Sequence, residues 1–524
     1  MAQFGQKAAV GVGRRGLAAL HALDIRPQGF EKMMKAFWWL RYAQVRPDLL
    51  LDTGDFGSEL RAHSGYAWGA EYAGDPALRA FYETATDQSL MGVFQLPHTG
   101  RTLEQAPGLL DLVCCTHPPV VTPEAPLSRI FPARGSAVMR SGWLPEDTVI
   151  SLRVGPWFNH EHHDQGSFRA AAYGEELVAE AGSADYYRDP HYPDYFTQAP
   201  AHNTVVIDDD PFSQEDYDGR YWPSLRNFAK LARHVFSPGM DYLAANLAPA
   251  YTDASQIHRL TREYLFVKPD ILIVHDRIEA ATPHGYSWLL HILPGAQAKI
   301  DAAQAVIRRK AAFVALSAGG KNTHWTLQQQ PVPTHAYSDF DRTPVEPREA
   351  FRLDSPREKE GSFLVALHFQ KTGEEAAPLQ PLLTTSGQGF QAAGGAAEVL
   401  FRSKPGQLTT GGLTADGDLL AIKEGNSVEE IFGGNLKLLQ RGQQVLFSSN
   451  PATDVALRES PAPVEVHVFC SATTDLRIYA QKPPREVRLD QGLVTPPRAG
   501  GFISFERLAK GEHVVSIRYG PGIW

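Results

Sequence analysis

The sequence predicts a multidomain α+β protein in which a helical N-terminal region precedes a large antiparallel β-sandwich. Three observations support this prediction. Apolar residues in the first part of the chain recur at helical spacing, short strand-like segments follow one another after residue 130, and 45 glycines with 38 prolines supply frequent turns. A chain of 524 residues is also too long for one ordinary hydrophobic core.

Residues 1–128 are predicted to form the helical domain. Asp75-Pro76 is typical of a helix start, because aspartate caps the first backbone N–H groups and proline fits the first turn. Further upstream, one apolar helix face is predicted from the spacing of Phe30, Met33, Met34, Phe37 and Leu40.

Strand signals then predict two sandwich units, residues 129–370 and 371–524. Glu263–Val267 and Ile271–Arg277 predict a hairpin, because Lys268-Pro269-Asp270 between them is typical of a turn. Residues 372–398, rich in Gly, Ala and Gln, predict a mobile loop. Other strands are predicted at Thr148–Val154, Thr204–Ile207, Phe363–Phe369, Leu419–Lys423, Gln444–Ser448, Val464–Phe469, Val487–Leu489 and His513–Tyr519.

The charge and the composition exclude several classes of function. A formal net charge of −9 argues against nucleic-acid binding, which needs clustered Lys and Arg, whereas an acidic protein can still hold a basic cleft for an anionic polysaccharide. We expect no membrane partner, since no segment has the length and apolarity of a membrane span. Met1–Arg15 lacks a secretory pattern, so we expect a cytoplasmic protein, or a periplasmic one whose signal sequence has been removed. The three cysteines predict neither a disulfide framework nor a thiolate zinc site.

The densest polar segment is Trp157–Phe168, which holds three histidines and two carboxylates within five positions. In an extended strand His160, His162 and Asp164 point to one face, and imidazole with carboxylate groups suits a zinc ion. An isolated H-x-H pattern is more often solvated surface. The metal hypothesis therefore also depends on Glu180 and on His202, which stands at the start of a predicted strand.

Three ordered motifs resemble the heparinase II/III-like family, which includes heparin, heparan and alginate lyases. They are H-x-H-x-D-x-x-S-F from His160, the acidic Glu180 before a small-residue turn, and A-H-N-T-V-x-x-D from Ala201. The hairpin with its turn at Lys268-Pro269-Asp270 is similar to the family's later strand pair. The resemblance implies a helical (α/α) toroid, shortened in this chain, joined to a multi-sheet antiparallel sandwich.

The resemblance also implies a metal site and a reaction. At the family's motif positions His162, Glu180 and His202 would bind zinc, with Glu180 in a place where the family usually has Asp. The implied activity is cleavage of uronic-acid-containing glycans by β-elimination, which needs a base for the C5 proton and an acid for the leaving oxygen. Residues at the matching catalytic positions are His160, Tyr66 and Tyr187, the last favoured over Tyr186. Candidates for binding the substrate are Asn159, Arg61 and His63.

Alternative functions remain open at this point. Only 65 residues precede Tyr66, without the Asn-His pair of the family, so a non-catalytic carbohydrate-binding relative with a structural metal is the second hypothesis. A metal-dependent hydrolase using His163 or Asp164 as base is the third. The apolar surface left by a short helical region, including Trp38 and Trp39, predicts a homodimer. The acidic run Asp208–Asp210 is either a calcium site or a solvated turn. Three tryptophans either stack on sugar rings or pack in the core: Trp222, Trp288 and Trp325.

Overall fold

The computed structural model describes Trp39 and residues 41–46, 49–51, 126–156, 162–182, 192–214, 227–252, 255–301, 304–322, 324–329, 349–374, 377, 379–425, 429–459, 464–480 and 482–519. Strand labels below follow the order of the chain. Over these residues, no helix has both the length and the apolar character to cross a membrane.

The predicted α+β class is wrong, because strands make up most of the described chain. After Ala43 the backbone leaves the helical conformation for two paired strands, β1 (Gln44–Arg46) and β2 (Leu49–Leu50). The residues whose apolar spacing predicted a helix, Phe30, Met33, Met34, Phe37 and Leu40, lie outside the described residues. The described helical backbone is limited to Trp39, residues 41–43, Ser255 and short turns at Tyr192–Phe196, Ala199–Ala201, Ala248–Ala250 and Ala393–Gly395.

The rest of the predicted N-terminal domain lies outside the described residues. This applies to the proposed helix start at Asp75-Pro76, to Trp38 and to the shortened toroid that the family resemblance implied. The domain boundaries after residues 128 and 370 stay predictions.

Two small antiparallel sheets form one layer of the body. A five-stranded sheet runs in chain order, and a four-stranded sheet has the order β17-β18-β13-β8. A single bridge between Ala179 and His291 joins the end of the first sheet to the second. The strands are β3 (Arg129–Phe131), β4 (Ser136–Arg140), β5 (Val149–Arg153), β6 (Phe168–Ala172), β7 (Glu175–Val178), β8 (Val205–Ile207), β13 (Tyr286–Ile292), β17 (Trp325–Gln329) and β18 (Glu349–Asp354).

An eight-stranded antiparallel sheet forms the middle layer, in the order β14-β15-β16-β19-β12-β11-β10-β9. Its centre is the predicted hairpin, which the structure confirms: Val267 pairs with Ile271 across the turn. The strands are β9 (Lys230–Phe236), β10 (Met240–Asn246), β11 (Ile257–Val267), β12 (Ile271–His284), β14 (Gln297–Asp301), β15 (Gln304–Arg308), β16 (Ala312–Gly319) and β19 (Glu358–Lys371).

The C-terminal part of the chain forms one large sheet of 15 strands that folds over its own core. The segment 372–398, predicted as a mobile loop, contributes strands to this sheet, so that prediction is wrong. The strands are β20 (Gln380–Leu383), β21 (Gly387–Gln391), β22 (Ala397–Arg402), β23 (Leu408–Thr410), β24 (Leu413–Asp416), β25 (Leu419–Glu424), β26 (Glu429–Arg441), β27 (Gln444–Glu459), β28 (Val464–Cys470), β29 (Thr474–Tyr479), β30 (Glu486–Leu489), β31 (Gly492–Val494), β32 (Arg498–Ala499), β33 (Phe502–Leu508) and β34 (Gly511–Arg518).

The middle sheet is buried on both faces, because successive strand residues point to opposite sides. On β12, Leu272 and Val274 join the core shared with the two small sheets. Their neighbours Ile271 and Ile273 join the core shared with the C-terminal sheet. The hairpin therefore connects the layer that carries the polar motifs to the C-terminal sheet.

An ionic cluster joins the middle sheet to the C-terminal sheet. Arg233 on β9 donates to Asp454 on β27 at 2.6 Å and to the Tyr242 hydroxyl at 2.9 Å. The Tyr242 hydroxyl donates in turn to Glu263 at 2.6 Å. Both carboxylates are almost completely buried, with side chains 1% exposed. One guanidinium is thus shared between two buried acids of different layers.

Gly135 makes a close backbone approach that a larger residue cannot reproduce. Its φ is +69°, and a Cβ there would lie 2.2 Å from Nη1 of Arg153 and 2.8 Å from the Gly155 backbone. Gly412 has a similar φ of +72°, but a Cβ added there would meet nothing within 4 Å. Since both sites share the left-handed backbone, the difference between them isolates the steric conflict.

Substituting Gly135→Ala is therefore expected to lower the free energy of unfolding by about 2 kcal/mol, against about 1 kcal/mol for Gly412→Ala. Urea unfolding of the two variants measures the difference. Equal losses at both positions would contradict the close approach.

Candidate functional site

The structure describes the three predicted zinc ligands but not the other predicted site residues. His162, Glu180 and His202 are buried or nearly so, with His162 and His202 fully buried. The candidates outside the described residues are Tyr66, His160, Tyr187 and its alternative Tyr186, with Asn159, Arg61 and His63. Their roles stay predictions.

Three connections between strands bring the predicted ligands together. His162 lies between β5 and β6, Glu180 follows β7, and His202 lies between the turn Ala199–Ala201 and β8. The backbone N–H of Ala181 donates to the carbonyl of Ala201 at 3.1 Å, which places the residues after β7 beside the chain that enters β8. Residues 40 positions apart in sequence, His162 and His202, thereby have ring centroids 5.1 Å apart.

Glu180 and His202 form a hydrogen-bonded pair. Nδ1 of His202 lies 2.8 Å from Oε1 of Glu180, and the Ser167 hydroxyl donates to the same oxygen at 2.6 Å. A carboxylate only accepts hydrogen bonds, so Nδ1 of His202 carries the proton. Nε2 of a neutral His202 then presents a lone pair.

Burial keeps this cluster in its metal-binding protonation state. Burial lowers the pKa of His202, although Glu180 opposes the shift. Burial, His202 and His162 together lower the pKa of His163 to about 3. Burial alone would raise the pKa of Glu180, but His202 and Ser167 outweigh it and lower that pKa to about 2. At neutral pH the imidazoles of His202 and His163 are therefore neutral and the carboxyl of Glu180 is ionised, which are the states that metal binding requires.

The donor types fit a zinc ion. Nε2 of His202 is buried and has no hydrogen-bond partner among the described residues, while Nδ1 donates to a carboxylate, which is the usual arrangement around a zinc-bound histidine. Among the described residues, however, no group of three His, Cys, Asp or Glu side chains converges to hold an ion. Glu180 therefore acts here as the partner that orients His202, and coordinating an ion directly would require Glu180 to turn.

Asn203 holds the segments of the site together and was missed by the sequence reasoning. Its side-chain amide donates to the carbonyls of Phe168 at 2.8 Å and Ala179 at 2.6 Å, and its Oδ1 accepts from the backbone of His291 at 2.7 Å. One side chain thus connects β6, the end of β7 and β13. Its signal was present in the motif, as the amide directly after His202.

The acidic run that begins at Asp208 is engaged in ion pairs. Asp208 contacts Nδ1 of His284 at 2.7 Å and accepts from Arg357 at 2.6 Å. Asp209 accepts from Arg352 at 2.6 Å. These contacts favour the interpretation as a polar turn over a calcium site, because the carboxylates already have cationic partners.

Two of the three tryptophans considered as sugar-stacking residues are core residues. Trp288 and Trp325 lie in the core, 0% and 3% exposed, with ring centroids 6.0 Å apart. Trp222 lies outside the described residues.

Comparisons with known proteins find a family match for the part of the chain that contains His162, Glu180 and His202. Residues 123–373 match the family model described as Heparinase II/III-like, C-terminal. A mutant of the heparan sulfate lyase HepC from Pedobacter heparinus aligns with a TM-score of 0.54 at 15% identity, over 81% of this chain and 57% of that chain. The Heparinase III-BT4657 gene product aligns with a TM-score of 0.51 at 12% identity, over 83% of this chain and 53% of that chain. No curated protein matches the sequence.

The chain spans little more than half the length of these solved structures, and at such low identity the likeness shows the fold alone. The family match covers the described strands from β3 to β19 and all three of His162, Glu180 and His202. The family resemblance seen in the sequence motifs is confirmed: the chain carries a heparinase II/III-like C-terminal domain over residues 123–373.

Proposed function

We propose that this protein is a polysaccharide lyase that cleaves uronic-acid-containing glycans by β-elimination. The observation that carries the proposal is the buried pair of Glu180 and His202, set against His162 inside the heparinase II/III-like domain. Fully buried polar side chains in a β-sandwich are costly unless they are paired. A neutral His202 imidazole bonded to an ionised Glu180 carboxylate in the interior indicates a built site.

The reaction requires a base for the C5 proton and an acid for the leaving oxygen. We assign these proton transfers to His160, Tyr66 and Tyr187, and binding of the substrate carboxylate to Asn159, Arg61 and His63. One residue separates His160 from His162 in the sequence. A rigidly held His162 therefore limits the positions that His160 can reach. In this proposal the buried cluster of His162, Glu180 and His202 positions the segment that contains His160.

We further propose that zinc binds at the cluster of His162, Glu180 and His202, held by the imidazoles of His162 and His202 while Glu180 orients His202 through its hydrogen bond to Nδ1. A bound zinc ion would supply positive charge beside the cleft and cross-link the three segments. The residues of the chain prepare this state themselves: Glu180 fixes the tautomer of His202, and Ser167 fixes the rotamer of Glu180.

The substrate class follows from chemistry and from the similar structures. β-Elimination needs a carboxylate at C5 to acidify the adjacent proton, which restricts the substrate to uronate glycans. A heparan sulfate lyase shares the fold, so anionic glycosaminoglycans are the first polymers to test, followed by other uronate polymers such as alginate. An anionic polysaccharide or oligosaccharide is thus the proposed partner.

Ultraviolet absorbance of the unsaturated uronate product tests the proposal on a panel of uronate polymers. Wild type and His258→Ala are expected to give the same rise, since His258 is exposed on β11. His160→Ala is expected to abolish the rise. A folded wild-type protein that gives no rise on any polymer would favour the non-catalytic carbohydrate-binding relative instead.

A further inference from the structure

A completely buried ion pair contacts the backbone beside His202. Arg262 on β11 and Asp276 on β12 pair in register, and both side chains are 0% exposed. The contact is bidentate: Nε of Arg262 donates to Oδ1 of Asp276 at 2.7 Å, and Nη2 donates to Oδ2 at 2.8 Å. This arrangement leaves Nη1 directed away from Asp276.

The remaining nitrogen of Arg262 connects the two segments that carry the predicted ligands. Nη1 donates to the carbonyl of Gly166 at 2.6 Å and to the carbonyl of Asn203 at 2.7 Å. Gly166 is four residues after His162, and Asn203 directly follows His202. The hydroxyl of Tyr264, two residues along β11, also donates to Gly166 at 2.6 Å.

This geometry determines how far apart the two segments lie. A guanidinium is planar and rigid, so two carbonyls bound to one nitrogen have a fixed separation. Gly166 cannot retreat, because its φ is +81° and its Cα packs so closely that a Cβ would lie 2.4 Å from Leu247. Asp276 in turn neutralises Arg262 and fixes its plane.

We propose that Arg262 and Asp276 are positioning residues for the cluster of His162, Glu180 and His202. They set the spacing between the segments of His162 and His202, and so keep Nδ1 of His202 within reach of Glu180. This positioning role deepens the proposed function. Its test by zinc affinity depends on that function, because it requires a zinc site at the cluster. Its first readout, the His202–Glu180 hydrogen bond, requires neither metal nor activity.

A matched pair of double variants tests the proposal. Arg262→Met with Asp276→Leu removes the ion pair without leaving a buried charge, and such replacements are tolerated in protein cores. The control is Lys268→Met with Asp241→Leu, which removes another buried pair, joined at 2.9 Å, with its lysine bonded to the carbonyl of Ser237 instead of the site.

Two measurements follow for each variant. Histidine-labelled nitrogen NMR of the metal-free protein reports whether Nδ1 of His202 keeps its proton, with wild type and the control expected to retain that signal and the Arg262/Asp276 variant to lose it. Zinc affinity by chelator competition is expected to fall about 10- to 100-fold in the Arg262/Asp276 variant and to change less than about 2-fold in the control. If that variant does not fold, Arg262→Lys replaces it, because lysine keeps the charge opposite Asp276 but has no second nitrogen to bind both carbonyls while Asp276 is held.

An unchanged His202 signal in the Arg262/Asp276 variant, or in its Arg262→Lys replacement, would overturn the positioning role. Equal changes in the test and control variants would do the same, since they would indicate general destabilisation. Absence of zinc binding or of cleavage in the wild type would count against the proposed function only, because the NMR comparison is made without metal or substrate.

Discussion

Replacing His202 by glutamine is expected to lower kcat/KM on the cleaved polymer by at least about 100-fold, more than the 10- to 100-fold typical of residues that only support a site. His202 is fully buried and is the member of the cluster that contacts both Glu180 and His162. Glutamine retains an amide donor for Glu180 but offers no imidazole nitrogen. The loss is therefore expected without collapse of the fold.

Steady-state kinetics and urea unfolding of the same preparation check this expectation. His258→Ala serves as the control, because it removes an exposed histidine from the same domain. A His202→Gln variant with stability close to wild type and activity reduced less than about 10-fold would show that His202 does not shape the active site.

Stability should depend on pH through Asp454, at the junction of the middle and C-terminal sheets. Burial raises the pKa of Asp454 from the ordinary value of 3.8 to about 6. Arg233 opposes this shift but is shared with Glu263, whose negative charge raises the pKa of Asp454 further. The folded protein therefore binds this proton more tightly than the unfolded chain does.

The sign of the effect follows from proton linkage. A carboxyl whose pKa is raised on folding contributes stability that is complete below pH 3.8 and is lost as the pH rises through about 6. The wild type should therefore gain at most about 3 kcal/mol relative to Asp454→Asn as the pH falls from 7 to 4. Comparing the two proteins cancels every other titrating group that the substitution leaves undisturbed.

Urea unfolding of wild type and Asp454→Asn at a series of pH values measures this difference. His275 and Arg277 outweigh burial and hold the pKa of Glu263 far below its ordinary value, so folded Glu263 stays ionised between pH 7 and 4 in both proteins. A difference that stays constant between pH 7 and 4, or that shrinks as the pH falls, would contradict the raised pKa.

Local sequence signals predicted the strands of this protein well. The hairpin around Lys268-Pro269-Asp270 formed as predicted, since a turn flanked by two apolar segments of strand-forming residues leaves few other pairings. In the structure the first strand of the hairpin extends beyond the predicted start at Glu263, and its register places Arg262 opposite Asp276. The continuous apolar run Ile271–Val274 fits the burial of the middle sheet on both faces.

Other features depend on contacts that are distant in sequence. The meeting of Glu180 with His202 requires two separate sheets to join at Ala179 and His291, and no periodicity encodes that junction. The motif resemblance predicted that Glu180 and His202 lie close together, but it did not predict the hydrogen bond between them. The α+β prediction failed because helical spacing near the N-terminus was extended to the fold class of the whole chain, most of whose described residues form strands.

The masses of the products distinguish β-elimination from hydrolysis. On the polymer that gives the absorbance rise, β-elimination predicts two product masses that add up to the mass of the parent chain. Product masses that exceed the parent by one water would show hydrolysis, and the assignment of this protein as a lyase would be wrong.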